Sequence, residues 1–181
     1  ALEGYCTKIQ LFPPGHYMVY ENEKLSFTEY YSYNYEIIKP PSDEYMYTQV
    51  RNRLINCVRK RMMTDRQFGL LLSGGLDSSL ICGIVIHLIE TEFLQLKDQY
   101  IDFFTIGFKS GSTDVPYAIE VVDFLKQKHP KIRHTIVEID EDEALLSIDN
   151  TIYTIESFDI TSVRASTMQF MIAKYIQKHT N

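Results

Sequence analysis

The stretch "FGLLLSGGLDSSLICGIVIHLIE", residues 68 to 90, limits the fold more than any other part of this chain. It opens with an apolar run of strand length and closes with "SLICGIVIHLIE", which is apolar almost all round. A helix of that kind has no face for water, so it must lie buried against a sheet. Between them sits a small, hydroxyl-rich loop with two adjacent glycines. Strand, glycine loop and buried helix together form the opening of a parallel α/β unit.

The rest of the chain repeats the theme. "IDFFTIGF" (101–108) and "HTIVEI" (134–139) read as two further strands. "VPYAIEVVDFLKQKH" presents Ala118, Val121, Val122 and Leu125 on one face, and Asp114 stands where it can cap that helix. Residues 143–153 and 162–178 also carry helical patterns. Upstream, Val50, Leu54, Cys57 and Val58 recur at helical spacing from Asp43 onward, and Ser42 can cap that helix. Its basic end, Arg59, Lys60 and Arg61, suits a solvated face that complements the helix dipole, with a phosphate contact as the alternative. The first 41 residues differ. Pro13-Pro14-Gly15 blocks a helix, and "GHYMVYENEKLSFTEYYSY" reads as two strands about a polar turn at residues 21–24. Two prolines, Pro40 and Pro41, keep the following linker extended. The expectation is a small β-hairpin over residues 1–41 and, over 42–181, a parallel sheet with helices on both faces. Ligands of such sheets sit beyond the carboxyl ends of the strands.

Totals exclude several classes. With 45% hydrophobic and 23% charged residues in 181, the chain can bury a core. A net charge of −6 speaks against a nucleic-acid or anionic-membrane surface. No apolar stretch is long enough to span a bilayer. Cys6, Cys57 and Cys82 are far apart and odd in number, which suits free thiols in a reducing, cytoplasmic setting, with Cys57 and Cys82 expected in the core. The five histidines are scattered, which gives a zinc site little support. The start at Ala1, without an initiator Met, suggests a piece of a longer polypeptide.

The loop "SGGLDSS" (73–79) carries the chemistry. A strand-to-helix loop gathers unpaired backbone N–H groups, and the helix dipole favours anions there. Gly74 and Gly75 permit close approach and unusual backbone angles. Ser73, Ser78 and Ser79 add hydroxyl donors. Asp77 would repel a phosphate unless a divalent cation stood between them, and Mg²⁺ prefers that mixture of carboxylate and phosphate oxygens. The bland alternative is a strand-to-helix turn capped by Ser78. The loop has neither the lysine of G-x-x-x-x-G-K-[ST] nor the spacing of G-x-G-x-x-G.

"SGGLDSS" resembles the pyrophosphate loop of the ATP pyrophosphatases. "FTIGF" with "SGSTD" (104–114), and "YTIESFDITSVRAST" (153–167), are similar to segments of the glutamine-hydrolysing asparagine synthetases. "LFPPGHYMVY" and "FTEYYSY" are similar to the last strands of the glutaminase domain that precedes the synthetase domain there. The resemblance covers nearly the whole chain in the expected order. It implies an adenine-nucleotide α-hydrolase-like fold, with residues 1–41 as the tail of the glutaminase domain and its linker, and 42–181 as the amino-terminal part of the synthetase domain. It implies ATP and Mg²⁺, with aspartate converted to asparagine through a β-aspartyl adenylate and glutamine or ammonia as nitrogen source. A homodimer is one assembly it leaves open for the full-length enzyme.

The resemblance also assigns roles. Ser73, Gly74, Gly75, Ser78 and Ser79 would hold pyrophosphate, and Asp77 would be the catalytic metal-holding carboxylate. Leu72 and Ile106 would pack near the adenosine, with Gly107 keeping the strand end open. Thr161, Ser162 and Arg164 would surround aspartate. Each residue has a structural alternative: Ile106 as sheet core, Glu156 and Asp159 as helix-end residues, Arg164 as the ion-pair partner of Asp159. Two departures stand out. Ala1 is no nucleophile, whereas the family's glutaminase uses an amino-terminal cysteine. Met168 replaces the usual proline after "RAST". The family's second phosphate motif, S-G-E-G-x-D-E, is absent from these residues, so the segment alone is expected to be inactive. Other readings are a related amide or lactam synthetase, or a truncated nucleotide-binding protein without catalysis.

Overall fold

The structure, a computed structural model, describes residues 11–35 and 39–180. Cys6 lies outside them. The chain divides into two compact units, 1–46 and 47–181.

In the first unit, β1 (His16–Glu21) and β2 (Lys24–Glu29) pair antiparallel with Glu21 opposite Lys24. Asn22 and Glu23 make the turn with φ of 50° and 61°. Two positive φ values in a two-residue loop match the right-handed twist of the flanking strands. The register pairs Met18 with Phe27 and Tyr20 with Leu25, placing Tyr17 and Val19 on the other face. Ser42 does cap the helix that follows, its hydroxyl accepting from the Tyr45 N–H at 3.2 Å. That helix is α1 (Asp43–Arg61), and the division between the units falls inside it.

The second unit is built on a parallel sheet of β3 (Gly69–Leu71), β4 (Ile101–Phe108) and β5 (Ile132–Ile139), in the order β3-β4-β5. β3 is shorter than the apolar run suggested, because its ladder with β4 ends at the Leu71–Phe104 pair. Side chains alternate across a strand, and β4 shows why helices must cover both faces. Ile101 and Phe103 pack with α2 (Leu76–Thr91), α3 (Asp114–Lys126) and the end of α1, whereas Phe104, Ile106 and Phe108 pack with α6 (Ile160–His179). α2 buries Cys82, Val85, Ile86, Leu88 and Ile89 in the core, whereas Leu76, Leu80 and Ile81 stay exposed, so its all-round apolar composition is not matched by all-round burial. Each such buried side chain contributes roughly 1.5–3 kcal/mol by leaving water.

Several local expectations change. Cys57 is exposed, while Val58 of α1 and Met62 just after it turn inward. Arg59 forms a two-pronged pair with Glu92 at 2.5 and 2.6 Å, tying α1 to the end of α2, so it is neither a phosphate contact nor merely solvated. Asp114 does not cap α3; the N-cap is Thr113, and no side chain closes that end. The helical pattern of residues 143–153 is split into α4 (Glu141–Leu146) and α5 (Ile148–Ile155) at Ser147. Ser147 serves both, its hydroxyl donating to the Ala144 carbonyl and its own carbonyl accepting from Thr151 Oγ1.

Candidate functional site

The site begins where β3 ends. Leu72 continues the strand by donating its N–H to the Phe104 carbonyl at 2.9 Å, and the chain then turns away. Gly74 makes that turn with φ of +81°. A Cβ there would meet the Ala118 nitrogen at 2.6 Å and Tyr117 Cβ at 2.7 Å. Gly74 therefore serves the fold twice, through its backbone angle and through the close packing of α3. Gly75 is different. Its φ of −70° is open to any residue, and a Cβ would approach only Ser73 Oγ, at 3.4 Å. The protein itself does not require glycine at 75.

Serines hold the loop in shape. Ser73 Oγ and Ser78 Oγ lie 2.9 Å apart, the Ser73 N–H donates to Ser78 Oγ at 3.3 Å, and the Gly75 N–H donates to Ser73 Oγ at 3.3 Å. Gly75 is the N-cap of α2, and no side chain caps the helix. The first bond of the helix runs from the Ser79 N–H to the Gly75 carbonyl at 3.0 Å. The amides of Leu76, Asp77 and Ser78 are thus left at the helix end, where an anion is stabilised. Ser78 is a loop brace and not the cap. The Ser79 hydroxyl is buried and has no hydrogen-bond partner among the described residues.

This loop borders a cleft of about 540 Å³ at the carboxyl ends of β3 and β4. Leu72, Ser73, Ser78, Ile106 and Gly107 line it from the residues singled out in the sequence, joined by Met168 and Gln169 of α6. Gly74, Gly75, Asp77, Ser79, Thr161, Ser162 and Arg164 do not line it. Asp77 stands exposed in the first turn of α2. At Gly107, a Cβ would meet Val115 Cγ2 at 2.7 Å and Ser112 Cβ at 2.9 Å. Its absent side chain lets the 112–115 segment close over the strand. Lys109 pairs with Asp140 at 2.8 Å and Ser110 bonds Glu141, fastening the loop after β4 to the start of α4.

The "SFDITSVRAST" segment forms the start of α6. Glu156 ends α5 in the left-handed region, with φ of 51°. Asp159 is the N-cap of α6 and accepts from the Ser162 N–H at 2.8 Å and the Ser162 hydroxyl at 2.9 Å. Those two bonds hold the Asp159 carboxyl below the usual carboxylate range, the backbone bond first and the hydroxyl second. The donors of Ser162 are thereby engaged in capping. Arg164 is exposed and forms no ion pair among the described residues, so the Arg164–Asp159 pair is not made. Arg164 lies one turn before Met168 on α6, outside the cleft lining.

Sequence reasoning missed Met168 and Gln169 as cleft residues, and also Thr105 and His134, which stand behind the loop. A threonine in a strand reads as an ordinary β-former, and only the register of β4 on β5 brings the two side chains together. Among the described residues no three His, Cys, Asp or Glu side chains are grouped to hold a metal. A lone carboxylate such as Asp77 still fits Mg²⁺, which binds through one or two carboxylates plus substrate phosphates and water.

Known proteins resemble the chain throughout. The sequence model of the family described as Asparagine synthase matches residues 49–181. A "Probable asparagine synthetase (glutamine-hydrolyzing)" of Acanthamoeba polyphaga mimivirus is 44% identical over 158 residues, covering 86% of this chain and 26% of the viral protein. "Asparagine synthetase (glutamine-hydrolyzing) 3" of Arabidopsis thaliana and the corresponding protein of Zea mays are each 35% identical, covering 98% of this chain and 29% of theirs. The chain thus spans between a quarter and a third of the length of these relatives. No helix among the described residues is long and apolar enough to cross a membrane. With the family model matched from α1 to the end of α6, through the glycine loop and the cleft beside it, the chain belongs to the asparagine synthase family.

Proposed function

We propose that this chain carries the ATP-handling part of a glutamine-hydrolysing asparagine synthetase. One observation carries the reading: an uncapped helix end, with the hydroxyls of Ser73 and Ser78 beside it, opens on a cleft at the carboxyl ends of β3 and β4. Family membership supports it. In this reading the amides at the start of α2 and the two serines bind the β and γ phosphates of ATP. Leu72 and Ile106 offer apolar surface to the adenosine. The aspartate side-chain carboxylate attacks the α phosphorus, the α–β bridge breaks, and pyrophosphate leaves into the loop. Ammonia, from glutamine or solution, then displaces AMP to give asparagine. Asp77 would hold Mg²⁺, which would supply charge neutralisation when bound. The loop itself contributes fixed donors aimed where negative charge grows. Arg164 and Thr161 are assigned to aspartate, whereas Ser162 acts through the Asp159 cap. Residues 1–41 are assigned to the end of the glutaminase domain and the linker.

The test uses a full-length synthetase carrying this segment. Asp77→Asn removes one charge and keeps the size of the side chain. ATP–pyrophosphate exchange should fall by about 10²-fold or more, with glutamine hydrolysis largely retained. Exchange at the wild-type level would remove Asp77 from the reaction.

A further inference from the structure

The carbonyl at the root of the loop is held by a side chain. Thr105 Oγ1 donates to the Leu72 carbonyl at 2.7 Å, and the same oxygen lies 2.8 Å from His134 Nε2. A carbonyl oxygen only accepts, and a threonine hydroxyl has one proton. That proton goes to Leu72, so Nε2–H of His134 must donate to Thr105. The tautomer follows from the geometry: a relay runs from His134 on β5, through Thr105 on β4, to Leu72 after β3. Thr105 is 1% exposed, so its two bonds are shielded from water. Half-burial of His134, assisted by Lys126 and opposed by Asp123, pushes its imidazole below the ordinary value, which favours the neutral form. Protonation would add a proton at Nδ1 and leave the Nε2 bond intact.

Leu72 is joined directly to Ser73, whose hydroxyl and N–H organise the loop. Movement of the Leu72 carbonyl passes to Ser73 through one rigid peptide. We propose that Thr105, backed by His134, is a positioning residue for the phosphate loop. It holds the Leu72–Ser73 peptide so that the serine hydroxyls and helix amides form a cradle before the nucleotide arrives. Thr105 itself does not line the cleft. The inference rests on the phosphate-loop assignment proposed above.

The experiment compares Thr105→Val, Thr105→Ser and Asp77→Asn in the full-length enzyme. Valine keeps the branched shape and removes the hydroxyl, whereas serine keeps the hydroxyl. Two polar groups lose their partner in the valine variant, and a buried unsatisfied group costs on the order of a tenfold change or more. The MgATP requirement of Thr105→Val should therefore rise about tenfold, while the aspartate requirement stays within about twofold. Thr105→Ser should restore the MgATP requirement. An unchanged MgATP requirement, equal losses for both substrates, or a serine variant no better than valine would overturn the proposal. Where Thr105→Val does not fold, half-buried His134→Leu carries the test, with the same split at about threefold and the same failing outcomes. If Asp77→Asn keeps full exchange, the loop assignment falls and this inference with it. If Asp77→Asn abolishes exchange and Thr105→Val changes nothing, only the positioning role falls.

Discussion

Neighbouring glycines do different work in this loop. Gly74 is fixed by the protein, through its positive φ and the nearby backbone of α3. Gly75 has ordinary backbone angles and free space for a Cβ. Substitution should separate the two. Gly74→Ala should destabilise the second unit by about 3 kcal/mol, from left-handed strain and overpacking together. Gly75→Ala should unfold near the wild-type denaturant midpoint; under the proposed phosphate-loop reading it should bind nucleotide more weakly, because the added methyl group stands beside Ser73 Oγ. Denaturant titration and nucleotide binding on both variants check this. A stable Gly74→Ala would remove the close-packing account, and full nucleotide affinity in Gly75→Ala would remove the phosphate-loop account of Gly75.

At the scale of one element, α6 joins a capped structural end to the stretch that carries Arg164. Asp159 and Ser162 secure its first turn, which leaves Arg164 unpaired one turn further on. An arginine fork matches a carboxylate in a way that a lysine does not. In the full-length enzyme, Arg164→Lys should raise the aspartate requirement about tenfold, with the MgATP requirement and melting temperature near wild type. Since no structural ion pair is lost, a large fall in melting temperature would contradict the geometry. An unchanged aspartate requirement in a stable variant would remove Arg164 from substrate binding. Asp159→Ala should behave in the opposite way. It should lower stability through the lost cap and affect substrates only through the position of α6.

For the whole molecule, thiol chemistry gives a direct reading of packing. Cys82 sits in the middle of α2 with 1% exposure, and burial pushes its thiol up to about 12. Cys57 is exposed on α1. Under native conditions at pH 8, an alkylating reagent should modify Cys57 within minutes and leave Cys82 untouched. Cys82 should react only when the core opens, at a rate that follows global unfolding as denaturant is added. Mass spectrometry after a timed quench checks both sites. Equal labelling of the two thiols would mean that α2 is not enclosed by the sheet, α1 and α3.

The sequence by itself determined the class of fold and the position of the glycine loop between strand and helix. An all-round apolar helix after a short apolar strand has no stable home except against a covered sheet. Glycines and serines between them mark a place where backbone donors stay open. Those features are local, so they are legible within a dozen residues. What the tertiary structure decided are pairings between distant segments. The register of β4 on β3 and β5 placed Thr105 between Leu72 and His134. The path of α3 made Gly74 indispensable and Gly75 free. Rotation of α1 about its axis turned Cys57 outward and Val58 inward, a choice between adjacent positions that a helical repeat leaves open. The Asp159 cap took Ser162 and released Arg164. In each case competing partners had similar local chemistry, and only the distances set by the packed sheet and helices selected one.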